Sequence, residues 1–394
     1  MIKIDEFVEK YGVERKDTDS VKWDNMTENF GTNELLPMWV ADMEFKVPEA
    51  VQEAMLKRVE HGAFGYSIVS DSYYEAFFKW QAERYQVHLE KEWIRFSPGV
   101  VSSFFWMVNA FTEEQEGVIV LAPVYYPFYH SINDTNRHLV TSGLVNEHGQ
   151  FTIDYADFEA KIVENKVKLF IHCSPHNPVG RVWTAEEQAR LFDICLKHDV
   201  IIVSDEIHQD LTRKSHPHVA ALALEEKYHS HLIVLNAPSK TFNLASLLHS
   251  HIIIADKALR ERYDAYANTT VKSVTSLFGT VATEAAYRQG AQWLEGLNSV
   301  IEHNFNILKE IFAERAPKII LTEKEGTYLA WVDLRAYLRA EEVIEFMQVK
   351  CGVAVDYGEW FGDGYEGFIR INLGTLPKNV TYTATKIVEE LAKK

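Results

Sequence analysis

Between about residues 94 and 256 the chain alternates short, wholly apolar runs with stretches of helical spacing. The runs are IRFSPG (94–99), VIVLAP (118–123), LFIHCS (169–174), VIIVSDE (200–206), LIVLNAP (232–238) and HIIIAD (251–256). They are β-branched and apolar on both faces, which predicts parallel strands buried between two layers. Between the third and fourth, TAEEQARLFDICLKHD sets Glu187 three residues after Thr184, the spacing of a capping box that opens a helix. Strand and helix in repetition predict an α/β sheet covered on both faces. The link from LIVLNAP to HIIIAD is too short for a comfortable helical crossover, so one of that pair is expected to run antiparallel.

Beyond about residue 280 the pattern changes. TVATEAAYRQGAQWLEGLNSVIEHNFNILKEIFAERAP predicts long helix, broken near Gly290 or Gly296. GTYLAWVDL, the helical EEVIEFMQVKCG and GFIRINLG follow, and their segregation predicts a smaller α+β domain. No low-complexity linker divides the parts. We place the large domain at residues 46–283 and the small one at 1–45 and 284–394.

At 394 residues the chain is too long for one simple core, which agrees with two domains. Its net charge of −17 argues against nucleic acid and anionic membrane as partners. No apolar run approaches the roughly 20 residues of a membrane helix, and MIKIDEFVEK has no signal-peptide character. Cys173, Cys195 and Cys351 are odd in number and widely spaced, which fits a reducing compartment, and a cytoplasmic location is expected. His216 and His218, like His249 and His251, lack supporting cysteines or an H-E-x-x-H pattern, so no metal is expected.

Ligands of open α/β sheets bind beyond the carboxyl ends of the strands. Here those ends read SPGVVSS, APVYYPF with Tyr125, CSPHNPVG with Asn177, VSDEIH with Asp205 and His208, and NAPSKTF with Ser239 and Lys240. One polar residue at a strand end is ordinary; five converging on one edge describe a site. With LPMWVADMEF (36–45), FGYS (64–67), CSPHNPVGRVW, PSKTFNLA and GFIRIN, the set resembles the pyridoxal 5′-phosphate (PLP) enzymes of aspartate-aminotransferase fold. More narrowly it resembles the MalY/PatB-type cystathionine β-lyases, over nearly the whole chain. The fold this implies is a PLP-transferase-like large domain, with a mostly parallel seven-stranded sheet between helices, beside the small domain.

The resemblance also implies roles. Lys240 would hold PLP through its amine and act as the base once substrate frees it. Asp205 would pair with the pyridine nitrogen, Tyr125 would stack on the ring, and Asn177 would donate to the phenolate oxygen. The backbone N–H groups of Gly99, Val100 and Val101, with the Ser239 hydroxyl, would take the phosphate. Arg370 would grip the substrate carboxylate in a bidentate fork, with Trp39 and Val40 nearby. His208 would support Asp205 or satisfy a polar contact. Tyr66 would reach the phosphate of a neighbouring subunit, which implies a homodimer with shared sites. The sequence departs from the pattern after GFIRIN, where LGTLPK stands for a frequent C-P-R continuation, and again after the lysine. Broader aminotransferases carry G-x-R soon after the lysine, where ASLLHSH stands here, with Ser246 for a usual glycine. The expected reaction is β-elimination of a thiol from L-cystathionine or related cysteine conjugates. Transamination shares the same residues and is the alternative; a PLP-binding regulator without turnover is a remote third.

Overall fold

The computed structural model describes residues 3–271 and 275–394. Its central sheet has seven strands: β1 (Ile94–Ser97), β2 (Gly117–Ala122), β3 (His138–Gly143), β4 (Val167–Cys173), β5 (Ile201–Asp205), β6 (Leu232–Asn236) and β7 (Ser250–Ile253). They lie in the order β1-β7-β6-β5-β4-β2-β3. From β6 to β3 every neighbouring pair is parallel, while β7 is antiparallel to both β6 and β1. Every residue of β2, β5, β6 and β7 is buried, as expected of strands apolar on both faces. The helix Ala185–Lys197 opens on the Thr184–Glu187 capping box, with both reciprocal hydrogen bonds in place.

The predicted long helix breaks at Gly290, giving Leu277–Gln289 and Ala291–Arg315. A Cβ on Gly290 would lie 2.5 Å from the ring of Phe242, so the break brings the helix junction against the short helix Pro238–Phe242 that carries Lys240. Gly296 does not break the helix. It lets Phe7 pack against the helix backbone, since a Cβ there would lie 2.4 Å from the Phe7 ring.

The four-stranded antiparallel sheet of the C-terminal part contains Ile320–Leu321, Leu329–Asp333, Phe368–Asn372 and Asp356–Tyr357, in that order. The N-terminal segment joins this part. Leu36–Pro37 pairs in parallel with Val353–Ala354, and the Asn372 amide donates to the carbonyls of Val40 and Asp42 at 2.6 and 2.8 Å. Residues 38–43 thus form a strap held across the end of the central sheet. No helix among the described residues is long and apolar enough to cross a membrane.

Candidate active site

A cavity of about 300 Å³ opens beyond the carboxyl ends of the central strands. Nine of the residues singled out from the sequence line it: Gly99, Val100, Val101, Tyr125, Asn177, Asp205, His208, Ser239 and Lys240. They arrive on five strand ends. β1 runs out through Pro98 and Gly99 into the helix Val100–Phe111, whose first N–H groups have no acceptor within the helix. A Cβ at Gly99 would meet nothing within 4 Å, so the turn faces open space. Pro238 starts the helix that carries Lys240, where its missing N–H costs nothing.

Lys240 is half-buried, and its amine donates to the carbonyl of Ala41 on the strap at 2.7 Å. Burial lowers its basicity to about 8, opposed by the nearby Asp42 carboxylate. Asp205 ends β5, and its carboxylate accepts one hydrogen bond, from the Ile207 N–H at 3.1 Å. Among the described residues it has no ion pair. Burial pushes it up to about 7. A carboxylate so poorly solvated is set to receive a cation or an N–H donor. His208 is buried with Nδ1 unpartnered, and burial, with Lys240 and Arg370 nearby, holds its pKa well down and the ring neutral.

Arg370 does not line the cavity. It lies behind Asn177, donating Nη1–H to the Asn177 oxygen at 2.9 Å and pairing through Nη2 with Asp356. Among the described residues its Nε–H has no partner, nor has Oδ1 of Asp356. Both side chains are almost wholly buried, so this pair is held by the protein rather than by water. Asp356, which no sequence pattern marked, therefore shares the arginine expected to grip substrate.

Trp39 lies on the same strap. Its indole is buried against Phe30 in edge contact and donates to the Lys22 carbonyl at 3.0 Å. It is the backbone of this strap, not the ring, that runs past Lys240; Val40 contributes its carbonyl to Asn372. Tyr66 is fully exposed, on a segment without regular structure that also exposes Phe64 and Ile68, so it joins no other site residue within one chain.

Nine further residues line the cavity, among them Ala41, Leu248, His249 and Cys173. Ala41 accepts from Tyr328 Oη as well as from Lys240, both at 2.7 Å. Leu248 and His249 occupy the stretch that departs from the G-x-R pattern, and Leu248 has a left-handed backbone, with φ of 53°. His249 contacts Tyr73 Oη through Nε2 at 2.6 Å, and the same hydroxyl meets His251 Nε2 at 2.5 Å. Burial lowers the His249 pKa to about 4, so it is neutral. Cys173 also lines the cavity, and burial pushes its thiol well up, which removes it as a nucleophile. Of the two histidines in H-P-H, His218 pairs through Nε2 with Glu206 at 3.1 Å.

Residues 27–387 match the family model for aminotransferase class I and II. Cystathionine beta-lyase PatB of Bacillus subtilis is 40% identical over 362 residues, covering 92% of this chain and 94% of its own. The crystal structure of cystalysin from Treponema denticola, which contains a pyridoxal 5′-phosphate cofactor, superposes with a TM-score of 0.93 at 36% identity, covering 97% of this chain and 98% of its own. A PLP-bound C-S lyase from Staphylococcus hominis superposes with a TM-score of 0.90 at 32% identity, covering 96% of each chain.

Proposed function

The chain belongs to the class I and II aminotransferase family, and from that premise we propose that it is a PLP-dependent carbon–sulfur β-lyase acting on L-cystathionine or related L-cysteine S-conjugates. The observation that carries the choice of elimination is the 40% identity, over 92% of the chain, to a cystathionine β-lyase. The residues present fit the cofactor. A buried amine, a buried carboxylate lacking a cation, and free N–H groups at a helix start all face one cavity.

When bound, PLP supplies an electron sink that makes the substrate Cα–H acidic. Lys240 would hold it and then take the Cα proton; basicity near 8 suits a proton acceptor working near neutrality. Asp205 would keep negative charge against the ring nitrogen, and Tyr125 would fix the ring plane. Asn177 would donate its amide N–H to the phenolate oxygen while its own oxygen holds Arg370. Gly99, Val100, Val101 and Ser239 would hold the phosphate. Arg370, through its unpartnered Nε–H, would take the substrate carboxylate, with the backbone at Trp39 and Val40 along the same wall. His208, neutral, would shield Asp205 from water. Loss of the Cα proton and of the Cβ–S bond releases the thiol. One water then completes the conversion of the remaining three-carbon unit to pyruvate and ammonia.

L-cystathionine should therefore give pyruvate, ammonia and homocysteine with no added keto acid, measured by coupled pyruvate reduction. Consumption that depends strictly on an added keto acid, which takes the amino group while the C–S bond stays intact and no thiol is released, would assign transamination. Bound PLP with no turnover of any amino acid would assign a regulator.

We also propose a homodimer whose subunits share active sites. The support is the run of exposed apolar side chains at Leu56, Val59, Phe64, Tyr66 and Ile68, which a lone chain leaves in water. Tyr66 would reach the partner's phosphate site, supplying a donor where the ASLLHSH stretch has no arginine. Co-refolding equal amounts of Tyr66→Ala and Lys240→Ala chains tests this. Sharing restores about a quarter of all sites, because each mixed dimer regains one site with both native residues. If Tyr66 serves its own chain, activity stays at the average of the two variants.

A further inference from the structure

Asp356 and Arg370 face each other across neighbouring antiparallel strands, behind the wall of the cofactor cavity. Arg370 meets that wall through Asn177, and its charge is felt at Lys240, His208 and Tyr125. Its guanidinium lies 4.8 Å from the centre of the Phe361 ring. The Arg370 and Asp356 side chains are 2% and 1% exposed, so solvent balances neither charge.

Among the described residues Arg370 is the one ion-pair partner of Asp356. The other charged or titratable groups that face Asp356 are Lys22, Tyr125, Tyr126 and Tyr357. Lys22 is engaged elsewhere, with Glu44 at 2.9 Å and Asp42 at 3.8 Å. Burial raises the three tyrosine hydroxyls and keeps them neutral. Burial also raises the Asp356 carboxyl from its ordinary value, against the pull of Arg370 and then of Lys22. Oδ2 of Asp356 holds Arg370, while Oδ1 has no partner among the described residues. The free pair thus carries one charge of each sign, balanced only while nothing else claims the guanidinium.

A substrate carboxylate upsets that balance. With Arg370 as the clamp proposed above, on which this inference rests, two carboxylates share one guanidinium in a site almost closed to water. Like charges so placed do not both stay ionised. We infer that Asp356 is a positioning residue for substrate capture: it holds Arg370 in the free enzyme and takes a proton from solvent when the substrate carboxylate binds. The proton goes to Oδ1, and Oδ2 keeps its bond to Arg370. The full guanidinium charge then passes to the substrate, and affinity for the carboxylate is tied to pH by a residue that does not touch it.

3-(Methylthio)propionate serves as the probe, because it has the carboxylate and thioether of a cysteine conjugate and no amine to bond to the cofactor. Calorimetric titration of the PLP-loaded protein in two buffers of different ionisation enthalpy gives the protons taken up on binding. The visible spectrum gives the share that belongs to the lysine-bound cofactor itself. The remainder should approach about one proton per site, and where it does so it should raise the dissociation constant by about tenfold per pH unit. Asp356→Asn keeps an acceptor for Arg370 and cannot take the proton, so the remainder should vanish and affinity should follow pH only by the cofactor's share. Asp356→Ser repeats the comparison with a smaller side chain. A native remainder of zero, or one that persists in both variants, overturns the inference. Arg370→Gln tests the clamp separately, and should weaken probe binding by about tenfold or more. Binding unchanged in that variant overturns the clamp itself, and this inference with it.

Discussion

Lys240→Ala should lose turnover by at least about a thousandfold, together with the visible absorption of lysine-bound PLP. It should do so without unfolding. The amine is buried at a cost, and the one carbonyl it holds, Ala41, keeps the Tyr328 hydroxyl as a donor. The effect on stability has a definite sign. In the cofactor-free protein the Lys240 pKa is lowered to about 8, against about 10.4 for an unfolded lysine. The unfolded chain therefore binds more protons between those values, and stability rises with pH across that interval. Below about pH 8 the buried charge weighs fully against folding. The cofactor-free native protein should thus gain stability relative to Lys240→Ala as pH rises from about 8 to 10, followed by thermal unfolding. A variant that keeps both the absorption band and the turnover would disprove the role of the lysine.

Asp205→Asn should keep the fold and cripple removal of the Cα proton. The asparagine is nearly the same size and its oxygen can still accept from the Ile207 N–H, so β5 ends as before. What is lost is the negative charge. Exchanging a charge-assisted hydrogen bond of roughly 1.5–3 kcal/mol for a neutral one should cost on the order of ten- to a hundredfold, before the weaker electron withdrawal is counted. Solvent-deuterium exchange at Cα of a substrate analogue without a leaving group isolates that step. Exchange at the native rate would rule out the role.

The strand ends were readable because each ends a run apolar on both faces, so the first polar residue after it has to lie at the sheet's edge. That reasoning located Asp205, Lys240, Asn177 and Tyr125 on one cavity. It could also anticipate the antiparallel β7, because connection length is a local property. It could not find Asp356, whose partnership with Arg370 joins neighbouring strands of another sheet. Nor could it tell that the Trp39 indole turns inward to Lys22 while the adjacent backbone meets Lys240. Which way a strap residue points depends on what the strap is laid against.

The antiparallel pairing of β7 with β1 sets a condition on how the chain acquires its ligand site. Ser97 lies opposite Ser250, 153 positions later, and among the described residues β7 alone joins β1 to the rest of the central sheet. The turn at Pro98 and Gly99 is thus anchored by a contact of very high sequence separation, the kind whose loop-closure entropy is met late in folding. A nascent chain that has emerged only as far as β6 holds Lys240's strand and Asp205's strand but has nothing to fix the turn beside them. If that turn takes the phosphate as proposed, its capture would follow synthesis of β7, and cofactor loading would be a late event rather than a nucleus on which the sheet folds.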